Sequence, residues 1–190
     1  SIREANSLYY STEYKSPIGI LTPACDKSCE CLIGLWVKGQ KYYGGTIKEE
    51  FIRNDEIPLF HKTKDWLDRY FKGERPDPSE IPLAPEGSKF RQEVWKLLRE
   101  IPYGSVTTYG DIAKKVATNM GRKSMSGQAI GGAVGHNPIS IIIPCHRVVG
   151  SDGSLTGFAS GIENKIKLLK LEGVDTSLFF IRKKGSAKGE

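Results

Sequence analysis

The chain has 190 residues, 38% of them hydrophobic and 26% charged, enough for one large domain or two small ones with a real core. No stretch is long and apolar enough to span a membrane and nothing at the N-terminus reads as a signal peptide, so no membrane role is expected and the cytoplasm is the expected compartment. The net charge of +6 is unevenly spread: residues 1–87 hold 12 Lys/Arg against 14 Asp/Glu, and residues 88–190 hold 16 against 8.

An excess of positive charge in one half points that half at a polyanion, most often a nucleic acid. Part of it is a basic tail (Arg182, Lys183, Lys184, Lys188), but the half stays basic without residues 182–190. Cys25, Cys29 and Cys31 cluster and Cys145 stands alone. A chain of this size in a reducing compartment needs no disulfides. A structural zinc site wants four Cys/His ligands, and the histidines are only His61, His136 and His146. The cluster therefore reads as ordinary residues in or beside a strand, and no metal is expected.

Residues 8–14, 19–24 and 31–37 are strand candidates of a small antiparallel sheet, with Ser16-Pro17-Ile18-Gly19 as a turn. Residues 63–72 read as a helix, with Trp66, Leu67, Tyr70 and Phe71 on one face and Gly73 as its stop. Pro76, Pro78, Pro82 and Pro85 mark a linker. The expected organisation is a sheet and helix domain over 1–75, a Pro-rich linker over 76–88, a second domain over 89–175 and a tail over 176–190.

In the second part Ser88 caps a helix to about Glu100, with Phe90, Val94, Leu97, Leu98 and Ile101 on one side. Thr108-x-x-Asp111 resembles a capping box and opens a helix from Tyr109 to about Ala117. A basic connection with Arg122 and Lys123 comes next. Ser126 then opens a helix of small residues around Gln128, Ala129, Gly131 and Gly132, ended by Asn137-Pro138. Helix, link, helix in a basic domain fits a helix-turn-helix, and the class expected is α+β. Each interior glycine costs a helix about 1 kcal/mol against alanine, which makes sense where another backbone packs very close. Residues 139–143 (Ile-Ser-Ile-Ile-Ile) read as a buried extended run that delivers the next residues to a fixed place. The last helix spans 163–172, Ile166 and Leu169 inward, with Gly173 as its stop.

The residues so delivered are Pro144-Cys145-His146-Arg147. A thiol beside an imidazole, fixed by a proline and with a cation next in line, suits a low-pKa thiolate, although a buried structural cysteine is the commoner fate. A cysteine protease would usually hold Cys and His far apart, with a separate orienting Asn or Asp.

Ile141-Ile142-Ile143-Pro144-Cys145-His146-Arg147-Val148, preceded by Gly131-Gly132-Ala133-x-x-x-Asn137-Pro138, closely resembles the O6-alkylguanine-DNA alkyltransferase family. The resemblance spans residues 90–173, and Ser16-Pro17-Ile18-Gly19 also looks like that family's N-terminal domain. It implies an RNase H-like domain followed by a winged-helix-like helix-turn-helix domain. The second domain would flip O6-alkylguanine (and O4-alkylthymine) out of double-stranded DNA through the minor groove and move its alkyl group irreversibly to Cys145. A monomer without cofactor is implied.

By that resemblance Cys145 matches the acceptor, His146 the residue that deprotonates it through a water, and Glu172 the carboxylate that holds the imidazole. Asn137 matches a residue orienting loop and thiol, and Tyr109 the tyrosine that assists the leaving guanine at its ring nitrogen. Val148, Phe158, Ala159 and Ser160 match the substrate pocket, and Arg147 a structural residue. Gln128, Ala129, Gly131, Gly132, Arg122 and Lys123 match the DNA face. The chain departs from the pattern where Gln128 replaces a frequent arginine that fills the gap left by the flipped nucleotide, Phe158 a frequent tyrosine and Ser160 a common glycine. A related group of binding-only proteins lacks the cysteine. A non-catalytic helix-turn-helix module and a thiol hydrolase are the competing functions, and Cys145 separates the first from a transferase.

Overall fold

The computed structural model describes residues 9–181, so residue 8 of the first strand candidate and the basic tail from Arg182 onward lie outside the described residues. Two compact units emerge: residues 9–87 with Pro138–Ile142, and Ser88–Asn137 with residues 143–181.

The first unit is a five-stranded sheet built on one long strand. β1 (Tyr9–Ser11) and β2 (Tyr14–Ser16) pair antiparallel with opposite ends of the same edge of β3 (Gly19–Asp26). The single strand expected over 8–14 is thus two. The reason lies in β3: Pro23 has no N–H to give, so only its carbonyl bonds across, to Thr12 N at 3.1 Å, and the ladder breaks there. β4 (Leu32–Val37) covers the other edge of β3, with a register shift at Ala24/Cys25. β5 (Phe51–Arg53) joins β1 in parallel, a strand that the sequence pattern did not lead us to expect. Trp36, Ala24 and Ile33 pack with Tyr9, Ile47 and Phe51. Gly34 makes room for the indole: a Cβ there would overlap the Trp36 ring.

α1 (Pro58–Phe71) packs on β3 and begins five residues earlier than expected. Its cap residue, Ile57, has no side chain to offer the first turn, so only Pro58 signals the start. The proline-rich stretch is ordered rather than a free connection. Arg69 grips Glu80 through Nη2 at 2.7 Å, and Leu32 N–H and Leu32 C=O bond to Pro82 C=O and Ala84 N–H.

The second unit packs three helices on one another: α2 (Lys89–Leu98), α3 (Tyr109–Asn119) and α4 (Gly127–Gly135). All three begin at the expected caps, where Ser88, Thr108 and Ser126 each accept the backbone N–H three residues on. Trp95, absent from the expected inward face of α2, is fully buried because its indole N–H reaches Ala133 O at 2.8 Å. β6 (Thr107–Thr108) pairs parallel with β7 (Val148–Val149), and β8 (Ser154–Leu155) with β9 (Phe180–Ile181). α5 (Ile162–Leu171) closes the unit, with Gly173 in the left-handed region just past its end.

The run over 139–143 is buried as expected but is not extended. Leu35 of β4 bonds on both sides of Ile139, and the chain then folds into two three-residue turns. Ile142 N–H bonds Ser140 C=O at 2.8 Å across Ile141, whose φ is 72°. Cys145 N–H bonds Ile143 C=O at 2.8 Å across Pro144, at φ −82° and ψ 66°. The second is a relaxed inverse γ-turn that proline suits; the first forces a β-branched residue into a region it rarely adopts. Such strain is tolerated only where burial over-determines the backbone.

Candidate active site

Cys145 opens a short 3-10 turn, Cys145–Arg147, so three consecutive side chains fan into the interior of the second unit. Asn137, just past the end of α4, donates its Nδ2 to Ile143 O at 2.7 Å and fixes the turn from behind. Its side chain also hydrogen-bonds the Cys145 thiol. Burial pushes that thiol's pKa up, while Asn137, the Lys165 charge and a backbone bond pull against it.

His146 is wholly buried and its Nε2 lies 2.6 Å from Glu172 Oε2. Arg147 holds the same carboxylate with Nε on Oε1 at 2.7 Å and Nη2 on Oε2 at 2.9 Å, and its Nη1 donates to Ile101 O at 2.7 Å. Gly104 N–H adds a bond to Oε1 at 3.1 Å. Burial alone would raise the Glu172 pKa, but the donors from His146 and Arg147 outweigh it and hold the carboxyl well below its ordinary value. Burial pushes His146 down, against the pull of Glu172. The consistent state is an ionised Glu172, secured by the bidentate guanidinium, beside a neutral imidazole. A carboxylate only accepts, so Nε2 carries the hydrogen and Nδ1 is the bare lone pair. Nδ1 is buried with no hydrogen-bond partner among the described residues. The site therefore presents a proton acceptor next in sequence to a buried thiol, with its tautomer set by Glu172.

The position of Glu172 at the C-terminus of α5 is unfavourable to an anion by the helix dipole, and Arg147 supplies the compensation.

Tyr109 begins α3 and gives its hydroxyl to Thr156 O at 3.1 Å. With Gln128 and Gly131 of α4 and the turn over 150–157 it lines an open cavity of about 760 Å³. Cys145, Val148, Phe158, Ala159 and Ser160 do not line it. Val148 lies in β7, Phe158 is buried, and Ala159 and Ser160 are half-buried, the Ser160 hydroxyl enclosed and without a hydrogen-bond partner among the described residues. Gln128, Ala129 and Gly132 are exposed on α4, and Arg122 and Lys123 are exposed in the connection before it. The packing expected to explain the glycines is absent: a Cβ at Gly131 or Gly132 meets nothing within 4 Å. Among the described residues nothing closes on this bare surface.

One residue escaped the sequence pattern. Lys165 is 1% exposed and donates to Thr156 O at 3.0 Å. Burial brings its pKa down to about 8, with Cys145 pulling the other way. Its place three residues after Ile162 and four before Leu169, on the inward stripe of α5, was the available signal.

Cys25 makes the contrast. It too is buried, and burial, with Cys29 and the Asp26 carboxylate beside it, pushes its pKa up to about 12. Among the described residues no group of His, Cys, Asp or Glu is placed to hold a metal.

Known proteins place these features in a family. The model for the DNA-binding domain of 6-O-methylguanine DNA methyltransferase matches residues 89–174, and that for its ribonuclease-like domain residues 8–85. A methylated-DNA–protein-cysteine methyltransferase of Haemophilus influenzae is 43% identical over 168 residues, 88% of each chain. One of Methanosarcina acetivorans is 42% identical over 87% of this chain and 99% of its own. The crystal structure of Mycobacterium tuberculosis OGT in complex with DNA superposes with a TM-score of 0.72 at 37% identity, covering 90% of this chain and 94% of that one. The chain belongs to the 6-O-methylguanine DNA methyltransferase family.

Proposed function

We propose that this protein repairs DNA by moving the alkyl group, methyl foremost, from O6 of guanine, and from O4 of thymine, to its own Cys145. The observation that carries the reading is the buried Cys145–His146–Glu172–Arg147 arrangement in a chain that belongs to this family.

The Cys145 proton passes to the bare Nδ1 of His146, by the family resemblance through a water, and Glu172 stabilises the imidazolium that results. The thiolate then attacks the alkyl carbon. A C–S bond forms, the C–O6 bond breaks, and the bonding pair stays with the guanine. Tyr109 offers its hydroxyl to the ring nitrogen on which that charge appears. A thioether has no good leaving group, so each molecule acts once; the reading takes it to act as a monomer in the cytoplasm.

The target atom is out of reach inside a duplex, so the nucleotide must be flipped, at a cost of a few kcal/mol. The bare face of α4 suits close approach to a minor groove, and Arg122 and Lys123 supply positive charge beside it.

The test is the mass of the intact protein after exposure to a duplex containing O6-methylguanine. The expected result is one hydrogen-to-methyl exchange per molecule, located at Cys145, stopping at one equivalent. An unchanged mass with DNA still bound would make the protein a lesion-binding module, and methylation mainly on Cys25, Cys29 or Cys31 would move the chemistry elsewhere.

A further inference from the structure

The second unit carries a surface groove that the transfer chemistry leaves unused. It lies between the end of α2 and the C-terminal half of α3 and has two adjoining parts, with Leu97, Glu100 and Lys115 common to both. The wider part, about 550 Å³, is edged by the exposed Lys96, Lys114 and Lys115. The narrower part, about 130 Å³, is bounded by Ile101, Pro102, Val106 and Ile112. An apolar cavity of about 150 Å³ takes a benzene, so the narrower part has room for about one large apolar side chain.

The three lysines are unanswered. Among the described residues none of them pairs with a carboxylate. Lys115 stands four residues after Asp111, the spacing of a helical ion pair, and yet the two are not joined. Lys96 has a reason of its own, a place in the last turn of α2 where a cation suits the helix dipole. Lys114 and Lys115, inside α3, have none. Glu100 is the single carboxylate on the lining, so three ammoniums face one negative charge.

The apolar part is an independent observation. Val106 is 36% exposed, and a turn closed by Ser105 N–H on Pro102 C=O at 3.1 Å holds it beside the groove. A lone exposed valine needs no explanation, but one that continues an apolar pocket rimmed by unpaired lysines marks an interaction surface. Duplex DNA accounts for the lysines alone, because phosphates and sugars take charge and hydrogen bonds and fill no apolar pocket. An acidic peptide with an apolar side chain accounts for both parts.

We infer that this groove docks an acidic segment of a partner protein, its carboxylates against Lys96, Lys114 and Lys115 and one large apolar side chain beside Val106. The charges steer the encounter and choose the partner, and the apolar side chain anchors it. The groove shares no lining residue with the cavity of Tyr109 and Gln128, so peptide and lesion need not compete for the same atoms.

The probe is a fluorescein-labelled peptide of four aspartates followed by Leu-Phe, titrated with the full chain and read by anisotropy. One control carries Ser-Ser in place of Leu-Phe, and another carries lysines in place of the aspartates. The expected Kd is about 10–100 μM, weak as suits a small contact. Replacing Leu-Phe, or Val106→Asp in the protein, should weaken binding roughly tenfold. The triple variant Lys96→Ala/Lys114→Ala/Lys115→Ala should also weaken it roughly tenfold and flatten its dependence on salt. Reversing the same three positions to glutamate should exchange the preference to the lysine peptide. Affinity for an O6-methylguanine duplex should stay within about twofold in all these variants, since no assigned DNA contact is touched. Should Val106→Asp fail to fold, Val106→Ser carries that arm. Absence of binding at millimolar peptide, or equal binding of the Leu-Phe and Ser-Ser peptides, overturns the inference. So does a loss of duplex affinity in the lysine variants, which would make the groove a phosphate contact.

Discussion

The turn at 144–147 and the outer face of α4 belong to the same unit and are built on opposite principles. Around Cys145 every charge is enclosed and most are answered: Glu172 alone takes bonds from His146, Arg147 and Gly104. Along α4 the side chains are small or missing, and two glycines look into open space. On the proposed function the interior decides which proton moves and where it goes, which calls for a geometry set before any DNA arrives. On the same proposal the outer face would meet a surface whose shape changes as a nucleotide leaves the stack, which suits a face that carries little. Substitutions inside should therefore act on chemistry and folding at once, while substitutions outside should act on the duplex alone.

The largest effects are expected inside. His146→Ala removes the proton acceptor and should slow methyl transfer by roughly 10²–10⁴-fold at neutral pH. The loss should shrink as pH climbs toward the raised pKa of the thiol, where Cys145 ionises unaided. Rate against pH for both proteins checks this, and parallel profiles would remove His146 from the reaction. Glu172→Gln breaks the buried ion pair and leaves Arg147 without its partner, a cost of about 3–5 kcal/mol in unfolding experiments. Because the folded Glu172 pKa is depressed, its contribution is fully present above the unfolded carboxylate value of about 4.3 and is lost as pH falls below that. The gap between wild type and Glu172→Gln should accordingly be wide at neutral pH and close in acid.

Much of this division was readable before the fold was known, though by two different routes. Helix starts were legible in physical terms, since Ser88, Thr108 and Ser126 satisfy backbone donors wherever they stand before an apolar-periodic run. β5 was not, because three residues pair only with a strand some forty positions away. Residues 139–143 misled for a similar reason: β-branched composition favours extension, and only tertiary burial turns Ile141 to a positive φ. Cys145 and His146 stood out as a thiol beside an imidazole, whereas their roles and the choice of Glu172 came from a family resemblance; the structure brings His146 and Glu172 within 2.6 Å. Lys165 was passed over because a lysine on a helix is read by default as solvated, even on the inward stripe.

On the outer face, Gly132→Ala separates folding from recognition. Nothing lies within 4 Å of the new methyl, and alanine favours the helix by about 0.5–1 kcal/mol, so thermal stability should rise. Binding to a lesion-bearing duplex should nonetheless weaken, by up to about tenfold, if DNA backbone comes as close as the glycine allows. A variant that is more stable and binds equally well would show that α4 meets the duplex elsewhere.

The smallest effect expected concerns Gln128, exposed one residue into the same helix and lining the cavity with Tyr109. A flipped nucleotide leaves its partner base unpaired and its neighbours unstacked, and something must occupy the gap. Glutamine is long enough and both donates and accepts, but it lacks the charge and the stacking plane of an arginine. Gln128→Ala should therefore slow repair of duplex DNA a few-fold while leaving reaction with free O6-methylguanine base nearly unchanged. Gln128→Arg should tighten duplex binding and steepen its dependence on salt by about one counterion, since one cation is added near the phosphates. Measuring both substrates on the same preparations separates the possibilities. If Gln128→Ala slows duplex and free base alike, the residue shapes the cavity that holds the base, and the outer face of α4 takes part in the chemistry after all.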